Sequence, residues 1–443
     1  MIRRLVLALM SLALVSAAPD ASRAAKIERI VTPAGIEVWL VRDETLPMFS
    51  MEFGFRGGAT QDPEDKAGVA NLAASLLDEG AGDLDARAFH ERLEARAIGL
   101  HFTAVRDTLR GSLRTLAENR DEAFELLRLA LGAPRFDAEA VERMRAGVLA
   151  TLRRRSTQAA EIASERWFAR AFAGHPYGRP VHGTLDSVPR INVEDLRSYV
   201  RKVLARATLK IAVVGAIDAA TLATLVDRAF GTLPVKPNLV PVAEALPQGL
   251  GSREVVDLDV PQTVIAFGGI GLKRSDPDFV PAYVLNHILG GGSFSSRLYR
   301  EVRERRGLAY SVYSYLAPLD HAGLFMGGVS TRNDRAAESL AVIVGEIKRI
   351  AAEGPTADEL EKAKGFLIGS YALRFDTSGK IASQLLEIQL EDLGIDYVDR
   401  RNGLIAAVTA EDVRRAAARF LTDDRLLVML VGRPQGVVPE AGR

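Results

Sequence analysis

Ile191-Asn192-Val193-Glu194-Asp195-Leu196 opens a helical stretch that leads to a strand expected over 209–214 and closed by Gly215. Val408-Thr409-Ala410-Glu411-Asp412-Val413 leads in the same way to an apolar run over 426–431 closed by Gly432. The interval from Glu-Asp to Val-Gly is the same in both, which chance would rarely preserve. Asn192 and Thr409 are N-cap residues with acidic side chains in the turn that follows, an arrangement that satisfies free amides and suits the helix dipole. One helix-then-strand unit is thus written twice, more than two hundred residues apart. Further out, Gly57-Gly58-Ala59-Thr60-Gln61-Asp62-Pro63 precedes a helical stretch ending in Leu76-Leu77-Asp78-Glu79-Gly80. Its echo is Gly268-Gly269 and Asp276-Pro277 before a stretch ending in Ile288-Leu289-Gly290.

The two copies imply two related domains, expected over 27–233 and 253–443. Pro234, Pro237, Pro241 and Pro247, with Gly249 and Gly251, punctuate the stretch between them and read as a linker over 234–252. Short strands come early in each half, for example over 36–41 and 51–55, and long amphipathic helices follow over 86–96, 120–131 and 138–155. Strands and helices mixed without regular βαβ alternation predict an α+β fold: an antiparallel-rich sheet in each half carrying helices on one face. A length of 443 residues and a 48% hydrophobic content are enough for two substantial cores.

Met1-Ile2-Arg3-Arg4 and the apolar run from Leu5 to Val15, followed by Ser16-Ala17-Ala18 and Ser22-Arg23-Ala24, have the order of a secretory signal peptide. The expectation is a leader over 1–24, cut after Ala17 or Ala24, and a periplasmic mature protein with no membrane segment of its own. The absence of cysteine excludes a disulfide scaffold, a thiolate metal site and a lipidated N-terminal cysteine. Lys and Arg number 57 against 57 Asp and Glu, so no long-range field draws the chain to nucleic acid.

Metal chemistry needs about three converging ligands. None of the six histidines, His90, His101, His175, His182, His287 and His321, has another three or four residues away to share a helical face. His175 and His182 flank Pro176-Tyr177-Gly178-Arg179-Pro180, where loop packing and hydrogen bonding is the expected role. There is no nucleophile elbow. Gly290-Gly291-Gly292-Ser293 lacks the ending of a phosphate loop, and conformational freedom is its expected role. The basic stretch Ser295 to Arg306 is helical in character and broken by Gly307, with a strand expected over 308–315. A reversal at Gly307 brings Arg303 and Tyr310 to one surface, where both could donate to a carbonyl oxygen or a developing oxyanion. From spacing alone, a basic helix stabilising its own C-terminus ranks first.

Ser296-Arg297-Leu298-Tyr299-Arg300-Glu301-Val302-Arg303-Glu304-Arg305-Arg306-Gly307-Leu308-Ala309-Tyr310-Ser311-Val312 resembles the C-terminal signature of the M16, or pitrilysin-type, peptidases, and the likeness extends over nearly the whole mature chain. It implies two homologous α/β-sandwich domains forming half of a clam-shell chamber. Where that family has its zinc-binding histidines this sequence has Asn71 and Ser75, and where it has the glutamate base this sequence has Ala74. The distal glutamate ligand falls near Thr151. None of these side chains replaces the family's ligands and base, so the resemblance implies no cofactor in this chain and zinc in a partner. Arg303 and Tyr310 fall on the family's Arg and Tyr, which reverses the ranking at these two residues. The implied role is the zinc-free half of a heterodimeric peptidase, inactive alone. It would complete, for peptide substrates, the site of a homologous subunit with an intact His-x-x-Glu-His motif. The alternative is a proteolytically inactive structural or peptide-binding protein, as in core subunits of respiratory complexes.

Overall fold

The computed structural model describes residues 26–421 and 426–440; the expected leader over 1–24 lies outside the described residues. Six strands form the first sheet: β1 (Ile27–Val31), β2 (Glu37–Arg42), β3 (Met48–Arg56), β4 (Gly99–Ala104), β5 (Thr108–Leu116) and β6 (Lys210–Gly215), in the order β1-β2-β6-β3-β5-β4. Five form the second: β7 (Arg253–Val256), β8 (Gln262–Ile270), β9 (Ala309–Leu319), β10 (Ala322–Arg332) and β11 (Leu427–Val431), in the order β7-β11-β8-β10-β9. With β1 set aside, the two orders are the same. So are the senses: β2·β6 and β7·β11 are parallel and every other pair is antiparallel. The repeat read from the sequence is therefore a repeat of topology.

The repeated helices start as their caps require. Asn192 and Asp195 form a reciprocal capping box on the helix Val193–Val203, and Thr409 and Asp412 do the same on Ala410–Phe420. Each box satisfies amides that the first turn leaves free.

β6 and β11, the strands that follow these helices, are buried along almost their whole length. Unbroken apolar runs of this kind require cover on both faces of the sheet. In the first half, Ile211 and Val213 pack with Phe124, Leu196 and Leu222 from helices of the same half. Ala212 and Val214 lie on the opposite face, against Leu385, Leu386 and Ile388 of the helix Ser378–Leu390, which belongs to the second half. The reverse holds across the molecule. Val428 and Leu430 pack with helices of their own half, whereas Leu427, Met429 and Val431 pack against Trp167, Phe168 and Ala171 of the helix Ala159–Ala171 from the first half. Helices on one face thus describes what each half supplies for itself, and the other half covers the second face.

Polar groups lock the exchange. Trp167 Nε1 donates to the Leu427 carbonyl at 3.0 Å, and Gln389 Nε2 donates to the Ile211 carbonyl at 3.0 Å. Arg110 pairs with Glu387, and Arg56 with Asp320. Asp107 accepts from the Tyr177 hydroxyl at 2.9 Å and from the Asp320 amide at 3.2 Å, while the Tyr177 oxygen accepts from the His321 amide at 2.9 Å. Residues 234–252 carry no helix or strand and are laid across both halves: Val240 N donates to Gln61 at 2.8 Å, Ala245 N to His321 O at 2.9 Å, and Gln248 N to Ala171 O at 2.7 Å. Among the described residues, no helix is long and apolar enough to cross a membrane.

Trp167 is fully buried and spans the two halves. Trp167→Ala should cost about 3–5 kcal/mol, as large-to-small changes at enclosed aromatic positions do. Urea unfolding checks this, and an unchanged midpoint would show that the exchanged helix contributes little to holding the halves together.

Candidate functional site

The turn between the first sheet and its helices begins at Asp62, whose carboxylate accepts from the amides of Gly68 at 2.7 Å and Ala70 at 2.8 Å. This fixes the start of the short helix Val69–Ala74. Burial pushes the Asp62 carboxyl up to about 7 despite those two bonds. Asn71 lies on this helix and Ser75 ends it, and neither side chain is free. The Asn71 carboxamide oxygen contacts His182 Nδ1 at 3.1 Å, and the Ser75 hydroxyl donates to the Leu72 carbonyl at 2.9 Å. Ala74, at the position where the resemblance implies a general base, is a buried methyl group. Thr151, on the helix Ala138–Arg155, is exposed and makes no side-chain hydrogen bond among the described residues. A carboxamide, a hydroxyl turned back on its own helix, a methyl and an outward threonine do not fit a zinc ion. Among the described residues, no three His, Asp or Glu side chains come together as a metal site.

The basic stretch is organised differently from a helix that simply neutralises its own end. Residues Tyr299–Glu304 form a π-helical turn, a geometry that often marks functional positions. Gly307, at φ 59°, reverses the chain into β9. Each arginine but one has a carboxylate. Arg297 forks onto Glu359 at 2.8 and 2.6 Å, which holds the Glu359 carboxyl down at about 2 in spite of its burial. Arg305 and Arg306 meet the buried Glu301 at 2.8 and 2.7 Å, and Arg300 lies 3.6 Å from Glu301 and 3.5 Å from Glu359. Arg303 has none among the described residues. Its guanidinium lies 4.8 Å from the ring centre of Tyr299 and 4.5 Å from that of Tyr310, and it donates to the Tyr299 hydroxyl. Tyr310 is 81% exposed.

The structure thus brings Arg303 and Tyr310 together, and it places Asn71, Ala74 and Ser75 on one short segment with Thr151 turned outward. Sequence reading missed Tyr299, although its position four residues before Arg303 on a helix was a usable signal. His175 and His182 do have the loop role expected of them: His175 Nδ1 accepts from the Tyr177 amide at 3.1 Å and Nε2 contacts the Ala243 carbonyl at 3.0 Å. The glycine run differs from expectation. A side chain at Gly290 would lie 2.5 Å from Ser314 Oγ and 2.7 Å from Ser314 N, so its role is close approach to β9. The positive φ of this loop, 46°, falls on Ser293.

Two family models match the chain: "Insulinase (Peptidase family M16)" over residues 38–185 and "Peptidase M16 inactive domain" over 190–367. Together they span most of it. The chain belongs to the M16 peptidase family. It is 30% identical over 354 residues to a protein of Helicobacter pylori named non-peptidase homolog YmxG, a match covering 78% of this chain and 80% of that protein. A crystal structure of an M16 inactive domain from Pseudomonas fluorescens superposes with a TM-score of 0.87 at 28% identity, covering 94% of this chain and 100% of that one. Complex III2 of Candida albicans contains a chain of the same fold, with a TM-score of 0.77 at 16% identity and coverage of 93% and 97%. This M16 chain therefore has the family's two mixed sheets without a set of side chains suited to the family's metal.

Purified M16 chain should carry no stoichiometric zinc. Elemental analysis giving one zinc per chain, lost in Asn71→Ala, would contradict the site as described. Asp62 gives a second test. Its folded-state pKa lies above the unfolded value of about 4, so its contribution to stability is full below about pH 4 and is lost as pH rises through about 7. Asp62→Asn, neutral throughout, should flatten that fall when urea midpoints are compared across the same range.

Proposed function

We propose that this chain is the zinc-free subunit of a heterodimeric M16 peptidase, exported to the periplasm by its leader. It presents Arg303 and Tyr310 to the zinc site of a homologous partner with an intact His-x-x-Glu-His motif, where peptides are cut. The observation that carries the reading is the isolation of Arg303. In a segment where every other arginine is matched to a carboxylate, this guanidinium is held by two aromatic rings beside an exposed phenol. Ring contacts orient a cation without occupying all its hydrogen-bond donors. Arg303 and Tyr310 are thus free to donate to an incoming carbonyl oxygen. Donors fixed in place before reaction act most strongly on the oxygen that gains charge as water attacks, so they favour the transition state over the bound peptide. Guanidinium geometry also suits gripping a peptide carbonyl beforehand.

Mixing the chain with its intact-motif partner should produce peptidase activity absent from this chain alone. In that complex Tyr310→Phe should lower turnover about a hundred- to a thousandfold, equivalent to about 3–4 kcal/mol, with assembly unaffected. Arg303→Ala should lower turnover and raise KM as well. Turnover close to that of the unmodified complex in both variants, with normal assembly, would assign the chain to the scaffold role that its shared fold with a respiratory complex also allows.

A further inference from the structure

A second group of arginines, each with an Nε that no acceptor meets, lies beside the segment that carries Asn71 and Ser75. Arg106, Arg155 and Arg179 line one cleft of about 110 Å³ together with Ser164, Glu165 and His182. In all three arginines Nε is enclosed by protein and makes no hydrogen bond. Arg106 is the extreme case. Its guanidinium stacks on the Phe168 ring at 3.6 Å, and no acceptor meets any of its side-chain N–H groups among the described residues. Burial lowers its pKa, with only partial relief from the charge of Asp107.

The nearby carboxylates are committed elsewhere or meet one arginine alone. Asp107 accepts from Tyr177 and the Asp320 amide, and Asp62 from Gly68 and Ala70. Arg179 donates to the carbonyls of Asp62 at 2.6 Å and Thr60 at 3.4 Å. Arg155 pairs with Glu161 at 2.5 Å and lies 3.8 Å from Glu165, whose pKa is raised by burial. Burial, then the charge of Arg155, lowers the pKa of His182, with Glu161 opposing and Arg106 adding to the shift. An enclosed cation without an acceptor is costly, and a cost of this kind is removed by an anion that accepts from several such donors at once.

We propose that this cleft binds a single oxyanion group, held by Arg106 with Arg155 and Arg179 around it. The guanidinium fork matches carboxylate and phosphate alike. The group is therefore either a free inorganic anion or the C-terminal carboxylate of a peptide. Where the family places a metal dication and its ligands, this chain has an imidazole tied to a carboxamide and, beside it, guanidinium groups open to a ligand of opposite charge.

The full chain without any partner suffices for the test, so its outcome is separate from that of the shared-site proposal. Unfolding temperature is followed against inorganic phosphate, with sodium chloride at equal ionic strength as the reference. It is also followed against a short peptide as the free acid and as its C-terminal amide. A saturable rise beyond the chloride reference is expected from at least one oxyanion. A rise with the free acid and none with the amide identifies the peptide terminus, and a rise with phosphate alone identifies the inorganic ion. Arg106→Met should weaken the response about tenfold or more while leaving the ligand-free unfolding temperature unchanged or raised, since it removes an unmatched buried cation. Should that variant fail to fold, Arg155→Gln serves in its place, with weakening again expected. No rise beyond chloride with either oxyanion, or equal responses in wild type and the folded variants, overturns the proposal.

Discussion

Cover for the second face of each sheet is the constraint on which the rest of the molecule depends. β6 and β11 are buried on both sides, and each half covers only one of those faces with its own helices. The requirement is met by exchange: the helix Ala159–Ala171 goes to the second sheet and the helix Ser378–Leu390 to the first. Burying this much aliphatic and aromatic surface is the dominant favourable term. The hydrogen bonds from Trp167 and Gln389 contribute less energy, but they set the register, because a shifted helix would leave a buried strand carbonyl without its partner. With the register set, the positions of the Arg303 turn and of the Asn71 helix relative to one another are also set.

Charge follows the same logic on a smaller scale. The segment from Arg297 to Arg306 could hardly fold tightly if its five guanidinium groups were left to repel one another. Glu301 and Glu359 pair with four of them from within the fold. The fifth, on Arg303, is stabilised by aromatic rings, which hold a cation while leaving it able to donate hydrogen bonds. The difference between a structural arginine and one available to a ligand lies in which partner it has been given.

Much of this was legible in the sequence because it is local. The caps at Asn192 and Thr409, the apolar runs after them and the chain reversal at Gly307 are each set by a few adjacent residues. That Asn71, Ala74 and Ser75 stand where the resemblance implies two ligands and a base could be read once the resemblance had aligned them, and their chemistry does not suit a metal. The exchange of helices could not. Trp167 and Phe168 mark an apolar face, but an apolar face does not name the sheet that it will cover. Arg106 was equally hidden, since nothing in Val105-Arg106-Asp107 tells that its side chain will stack on Phe168, sixty residues on. The glycine run misled because flexibility and close approach call for the same residue, and only the position of Ser314 decides between them.

The exchanged helices are equivalent: each has 13 residues and is the third long helix after the edge hairpin of its half, β4–β5 or β9–β10. Each lies on the strand in the other half that corresponds to its own half's central strand. A contact in which element i of one body meets element j of another, while j of the first meets i of the second, is isologous, the kind that a two-fold axis generates between identical subunits. This chain therefore carries within itself the interface of a symmetric dimer.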